Sequence, residues 1–252
     1  MASLENVSFQ LYSARMAPPA AGQIGALADL GYRNVEPYGG LVAEADSLAA
    51  AMAARGVRAP TMHVGLDAME GGYSATAAAA RKLGVATLIV PAVPPAMRKQ
   101  DLAGWKATAG RLAAAAARAE GDGFGFAWHN HSFEFEPMAG GGMPLDVLLG
   151  EAPAIGWQAD LGWIARAGED PLAWMARYSG RVVALHVKDL APHGTATDEE
   201  GWADVGQGTL PLEKWVEAGR AAGAKTLVLE HDKPSDWLRF ARRSIEALKG
   251  WA

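Results

Sequence analysis

The sequence predicts a parallel (β/α)₈ barrel. Three observations carry that reading: the length, a steady alternation of short apolar runs with longer alanine- and leucine-rich stretches, and polar residues gathered where the short runs end. The chain has 252 residues, close to the typical size of one complete barrel. It reads as one domain over residues 1–252, with no linker or short-period repeat.

Ser8–Ser13 is the first candidate strand. The turn after it reads YSARMAPPA and lacks the glycine-rich phosphate loop usual at that point in an open doubly wound sheet, which favours the closed barrel. Asn34–Tyr38 and Arg58–Val64 follow, ending around Glu36 and His63. Ala86–Val90 precedes a helix in which Leu102, Trp105 and Leu112 are expected to share one face. Gly125–His131 closes on Trp-His-Asn-His, with Glu134 three residues on, and Gly156–Leu161 closes on Gln158 and Asp160. Val182–Asp189 ends His186-Val-Lys188-Asp189 and leads into Ala191–Val205, read as an irregular loop able to close over a ligand. Thr226–Asp232 ends Glu230-His231-Asp232, and the last helix places Trp237, Phe240 and Leu248 on one face. Glycines 31, 56, 84, 123, 180 and 223 stand where helices should stop, and the alanine runs 77–80 and 113–117 read as strong helix formers.

Half the residues are hydrophobic and the net charge is −5, with 23 Lys and Arg scattered along the chain. No basic stripe of the kind that binds phosphate backbones is present, so a nucleic-acid partner is not expected. The absence of cysteine excludes disulfides, thiolate metal sites and cysteine nucleophiles. No apolar run has the roughly 18–20 residues of a membrane span, and MASLENVSF does not read as a secretory signal, so a cytoplasmic enzyme is the expectation.

Active sites of such barrels lie at the C-terminal ends of the strands, where this chain collects its polar residues. Singly, an acid after a strand is usually a helix cap, and a buried histidine is usually a satisfied core residue. Here five of the six histidines fall at or near predicted strand ends, converging with Asp160 and Glu230. Imidazole and carboxylate together suit Zn, Mn, Fe or Co, and Mg less well.

On these motifs the chain resembles the xylose-isomerase-like sugar phosphate isomerase/epimerase superfamily. The resemblance runs over essentially the whole chain and is sharpest at His129-Asn-His-Ser-Phe-Glu134, Gln158-Ala-Asp-Leu-Gly-Trp163, Arg181–Asp189, Val205-Gly-Gln-Gly208 and Leu229-Glu-His-Asp232. It implies one divalent metal ion (Mn, Co, Zn, Fe or Mg) and a small sugar, sugar phosphate or keto-polyol substrate. A homo-oligomer is compatible with it. The superfamily's usual metal shell is Glu, Asp, His and Glu, from strands five to eight. Asp160, His186 and Glu230 carry over, while His129 stands where the first glutamate is expected, as in a branch ending strand five in His-Asn-His. With that carboxylate replaced, the symmetric two-glutamate epimerase mechanism does not transfer directly.

The expected ligands are therefore His129, Asp160, His186 and Glu230, with His131 the alternative on strand five, since side chains two apart on a strand share a face. The expected catalytic groups are Glu230, His131 and Lys188; the expected substrate contacts are Glu36, His63, Glu134 and Trp163. Glu36 and Glu134 have the alternative of orienting the imidazoles. Lys188 has the alternative of a structural ion pair with Asp189 or Glu134. Isomerisation or epimerisation is the leading chemistry. Dehydration or keto-glycoside cleavage begins from the same proton removal, and a metal-free binding barrel is a remote third. The superfamily's DNA-repair endonuclease branch is opposed by the acidic balance and the short loops after the first two strands.

Overall fold

The computed structural model describes residues 4–251; residues 1–3 and 252, which the sequence reading counts in the domain, lie outside the described residues. Among the described residues the strands are β1 (Val7–Gln10), β2 (Asn34–Glu36), β3 (Thr61–His63), β4 (Thr87–Val90), β5 (Gly125–His129), β6 (Gly156–Asp160), β7 (Val182–Val187), β8 (Asp189–Leu190), β9 (Trp202–Ala203) and β10 (Thr226–Leu229). The helices are α1 (Ala20–Leu30), α2 (Ala45–Arg55), α3 (Leu66–Glu70), α4 (Tyr73–Leu83), α5 (Leu102–Gly121), α6 (Pro144–Glu151), α7 (Leu161–Arg166), α8 (Pro171–Arg177), α9 (Leu212–Ala221) and α10 (Trp237–Lys249).

Eight parallel strands join in the order β2-β1-β10-β7-β6-β5-β4-β3. Two isolated parallel bridges, Asn34 to Arg58 and Tyr38 to His63, connect the outer members and bring the sheet round into a nearly closed (β/α)₈ barrel. Helices alternate with these strands, as the sequence predicts. The helices α1, α2 and α4 end at Gly31, Gly56 and Gly84 with positive φ, as expected of left-handed caps.

Strand alternation sets the layers. Phe9 points outward into Tyr32 and Phe240, with ring centroids 5.5 and 5.7 Å away. Its neighbours Ser8 and Gln10 are also fully buried, and Gln10 meets Glu36 of β2 inside the barrel. In α5, Trp105 and Leu112 are buried as expected, but Leu102 is 47% exposed. It occupies the first position after the Asp101 cap, ahead of the turn that reaches the sheet. In α10, Phe240 and Leu248 are buried and Trp237 packs at the margin of the core.

The barrel strands stop sooner than predicted. β5 ends at His129, so the shared-face argument for His129 and His131 fails. The segment after β7 is also not an irregular loop. β8 pairs antiparallel with β9, and Asp189 anchors the return by accepting the N–H groups of Leu190, Gly206, Gly208 and Leu210 at 2.9–3.1 Å. Asp189 is thereby committed to backbone and is not the partner expected for Lys188.

Candidate active site

Beneath the C-terminal mouth lies a polar floor centred on Gln158 and Glu36, both without exposed surface. Gln158 donates through Nε2 to Glu36 Oε2 at 2.8 Å. Because a carboxylate only accepts, that bond fixes the amide's orientation and leaves Oε1 facing His63 Nε2 at 2.7 Å and His129 Nδ1 at 3.0 Å. Both imidazoles must donate to it. Glu36 also accepts from Gln10 Nε2 at 2.7 Å, from the Thr61 hydroxyl and from His186 Nε2 at 2.6 Å. Burial alone would raise the Glu36 carboxyl, but His63 and His186 outweigh it and hold it down at about 2. Glu36 thus sits behind the imidazoles, away from the surface a substrate would touch.

Above this floor, the four expected ligands converge. His129 Nε2 lies 3.7 Å from Asp160 Oδ2, His186 Nδ1 lies 3.8 Å from the same oxygen, and His186 Nδ1 lies 2.9 Å from Glu230 Oε2. Asp160, His186 and Glu230 meet the geometry of a metal-holding triad, and His63, His129 and His186 form a second such group. Asp160 Oδ1 caps α7 through the Trp163 N–H at 2.8 Å, while its Oδ2 is buried without a hydrogen-bond partner. Since Gln158 fixes the proton of His129 on Nδ1, the Nε2 lone pair faces that bare carboxylate oxygen. Two acceptors facing each other at 3.7 Å suit a shared cation, because donor atoms bonded at roughly 2.0–2.3 Å to one ion lie about that far apart. Burial pushes the Asp160 carboxyl up to about 7 against the pull of Lys188 and His186. Burial would lower His186, but the Glu230 and Glu36 carboxylates on its two nitrogens push it up to about 10. The residues fit a divalent ion.

Lys188 is fully buried at the edge of this cluster. Its Nζ lies 2.5 Å from Asp232 Oδ2, 3.2 Å from Glu230 Oε2 and 3.7 Å from Asp160 Oδ2. Burial would lower the ammonium, but Asp232 and Glu230 outweigh it and raise it above the ordinary lysine range. Its partners are therefore Asp232 and Glu230, in place of Asp189 or Glu134. The ammonium lies 5.0 and 4.5 Å from the ring centres of Trp163 and Trp202. Gly162 permits this packing, since a Cβ there would stand 2.7 Å from Lys188 Cβ and 3.0 Å from the Trp202 ring.

His131 leaves the strand and lines the cavity, with its ring 5.0 Å from that of His129 and 5.3 Å from that of Trp163. Its Nδ1 and the Trp163 Nε1 are buried without hydrogen-bond partners. Burial, reinforced by Lys188, brings the His131 imidazole down to about 3. Glu134 is fully buried and accepts the His131 N–H at 2.9 Å and the Trp128 indole N–H at 3.1 Å. It holds the His131 backbone and the Trp128 indole, and among the described residues it bonds to no imidazole. Burial pushes its carboxyl up to about 8. His231 turns away from the cluster, its ring meeting Phe240 and its Nδ1 accepting the Lys233 N–H at 3.1 Å.

The cavity has a volume of about 550 Å³. His63, His129, His131 and Glu230 face it on one side, with Tyr12, Tyr38 and Asp67 among its other walls. Trp163 is not among the residues that line it, although it was expected to be a substrate contact. Gln10, Thr61, Gln158 and Asp232 were not singled out as site residues by the sequence. Gln158 and Asp232 did stand within the motifs that carry the resemblance, and Gln10 pairs in register with Glu36, whereas Thr61, at the start of β3, gave no signal.

A family model, the xylose isomerase-like TIM barrel, matches residues 24–251. No curated protein matches the chain significantly in sequence. Among solved structures, a sugar phosphate isomerase/epimerase from Parabacteroides distasonis superposes with TM-score 0.81 at 16% identity, covering 98% of this chain and 94% of that one. A probable 3-DHS dehydratase, AsbF, from Bacillus anthracis gives 0.75 at 11% identity, covering 98% and 100%. The IolI protein, solved with a bound zinc atom, gives 0.73 at 16% identity, covering 97% and 95%. At these identities the structures show a common fold, and together with the family match over most of its length they establish that the chain belongs to the xylose isomerase-like TIM barrel family.

Proposed function

We propose that the protein is a metal-dependent isomerase or epimerase that moves a proton next to the carbonyl of a small sugar or keto-polyol. The convergence of His129 Nε2, His186 Nδ1 and Glu230 on the unpartnered Asp160 Oδ2 carries this reading. These four side chains would hold the ion. Once bound, it would polarise a carbonyl and offset the negative charge that develops there during proton removal.

The chain's own groups account for the rest. Glu36 and Gln158 hold the imidazoles from below with little freedom to turn: His129 presents its Nε2 lone pair, and His186 would present Nδ1 once an incoming ion displaced the proton it donates to Glu230. Glu230 reaches the cavity and is the proposed proton acceptor, with the Lys188 ammonium at 3.2 Å compensating charge beside it. Epimerisation also needs a group on the opposite face. His131, on the cavity wall with Nδ1 unpartnered, is the proposed second partner. Elimination is the second reading. It starts from the same proton removal by Glu230 and differs only in the later loss of a hydroxyl.

The test is metal analysis of protein purified without chelators, followed by incubation with ketoses and keto-glycosides in heavy water and mass spectrometry. Isomerisation or epimerisation incorporates deuterium at unchanged skeleton mass, whereas dehydration loses water. Glu230→Gln should keep the fold and abolish incorporation. A metal-loaded Glu230→Gln protein with near wild-type turnover would remove Glu230 as the acceptor.

A further inference from the structure

We infer that the cavity is built for an uncharged saccharide carrying a second group, a glycoside in preference to a sugar phosphate, with that second group resting on the Tyr12–Tyr38 wall. The inference rests on the proposed function only in placing the reacting carbonyl at the histidine–carboxylate side.

Charge is the first argument. Phosphate recognition relies on arginine, lysine or an unopposed helix N-terminus. Among the described residues lining the cavity there is no Lys or Arg, while Asp67, Glu230 and Asp232 are present. The nearest buried cation, Lys188, is already bonded to Asp232 and Glu230. A divalent ion together with Lys188 would only balance Asp160, Glu230 and Asp232, leaving Asp67 as net negative charge on the wall. The helix beginning at that wall, α3, has five residues and carries Asp67 in its first turn, so its N-terminus adds no anion site.

Size and surface give the second argument. At no more than roughly 30 Å³ per heavy atom, the share of one water in the liquid, a hexose of twelve heavy atoms takes at most about 360 Å³. The cavity holds about 550 Å³, which leaves room for a further ring or aglycone. The wall available to that group is aromatic. Tyr12 is 39% exposed and meets Tyr38 edge-on, with centroids 5.3 Å apart and planes at 90°. Arg15 stands beside this wall but packs 3.9 Å over the Tyr12 ring and donates to the Tyr12 carbonyl at 2.9 Å, so an anion would have to draw it away from the ring. The part of this aromatic wall that Arg15 leaves open suits the C–H surface of a sugar or an aryl group.

The test is calorimetric titration of the metal-replete protein with three probes: glucose, phenyl β-glucoside and glucose 6-phosphate. The glucoside should bind about 2- to 10-fold more tightly than glucose, the range expected of one aromatic contact. Glucose 6-phosphate should bind more weakly than glucose. In Tyr12→Ala the glucoside-to-glucose ratio should fall towards one, and in Tyr12→Phe it should persist. Glucose 6-phosphate binding as tightly as the glucoside, an undetectable glucoside, or a ratio unchanged in Tyr12→Ala would each overturn the inference. Failure of the proposed function shows differently, as no bound metal and no deuterium uptake, whatever the order of the three affinities.

Discussion

Replacing Gln158 with leucine tests whether the floor sets the chemistry above it. The substitution removes one donor and one doubly used acceptor from a position with no exposure. His63 Nε2 keeps Glu36 Oε1 at 3.1 Å as an alternative acceptor, and Glu36 keeps Gln10, Thr61 and His186. His129 Nδ1 loses its acceptor outright. One orphaned buried donor costs about 1–3 kcal/mol, and a lost bond to a carboxylate a similar amount; leucine's apolar contacts recover part of it, for a net loss of about 2–4 kcal/mol. Freed from Gln158, His129 can rotate or change tautomer, so metal affinity should fall about 10- to 100-fold. Urea denaturation of chelator-treated protein reads the first effect without the stabilising contribution of bound ion, and competition with a fluorescent chelator reads the second. Gln158→Glu keeps an acceptor for His129 and should lose less metal affinity, while setting a second carboxylate against Glu36. If Gln158→Leu binds metal within about twofold of wild type, the ligand imidazoles are not positioned from below and the reasoning fails.

Three further outcomes follow from the same geometry. His129→Ala should empty the metal site, whereas His131→Ala should retain metal with about 10- to 100-fold less activity; metal content of the two variants side by side decides, and the reverse pattern would exchange their roles. Gly162→Ala forces a methyl to within 2.7 Å of Lys188 Cβ, so it should cost about 1–3 kcal/mol in denaturation and lower turnover with metal content preserved. Burial alone would raise the Glu199 carboxyl, but Ser235 and Arg239 outweigh it and hold it at about 2, with His231 Nε2 also 3.6 Å away. Since the folded value lies below the ordinary 4.5, its contribution to stability is whole above that pH and is lost as pH falls towards 2. Glu199→Gln should therefore be less stable than wild type at pH 7, and the difference should shrink between pH 4.5 and 2 in acid-denaturation curves.

The barrel was legible because alternating periodicities and helix-stopping glycines are local signals, and polar residues at strand ends mark the active face of such folds. The depth of each polar side chain was not. Glu36 and Glu134 read as substrate contacts or as groups orienting imidazoles; both are buried, Glu36 against the His186 imidazole and Glu134 against the His131 backbone and the Trp128 indole. Whether a carboxylate reaches upward or is held below depends on its partners: Gln10 and Thr61 come to Glu36 from other strands, and Glu134 meets Trp128 only because the chain folds back after β5. Gln158 was visible as a strand-end residue and the first of a motif, but its role was not, because its contacts with His63 and His129 span 95 and 29 residues. Lys188 was paired with the wrong acid for the same reason. Asp189 is adjacent in sequence, but its oxygens are taken by the returning backbone, while Asp232 arrives from the segment after β10.

The closure of the barrel between β2 and β3 divides the molecule mechanically. These strands have three residues each and meet through separated bridges, with Val35 N–H to the Arg58 carbonyl at 2.8 Å, Arg58 N–H to Arg33 at 3.0 Å and His63 N–H to Pro37 at 2.9 Å. Amide hydrogen exchange should find this seam the least protected part of the sheet. The side chains proposed to hold the ion come from β5, β6, β7 and β10 or the residue just after it, which are consecutive around the ring and centred opposite the seam. Tyr38 and His63, by contrast, face each other across it. Breathing at the seam would widen the cavity beside Tyr38 while leaving the ion-holding arc in place, so a bulky glycoside could enter through the compliant half of the ring without loosening the stiff half where bonds change.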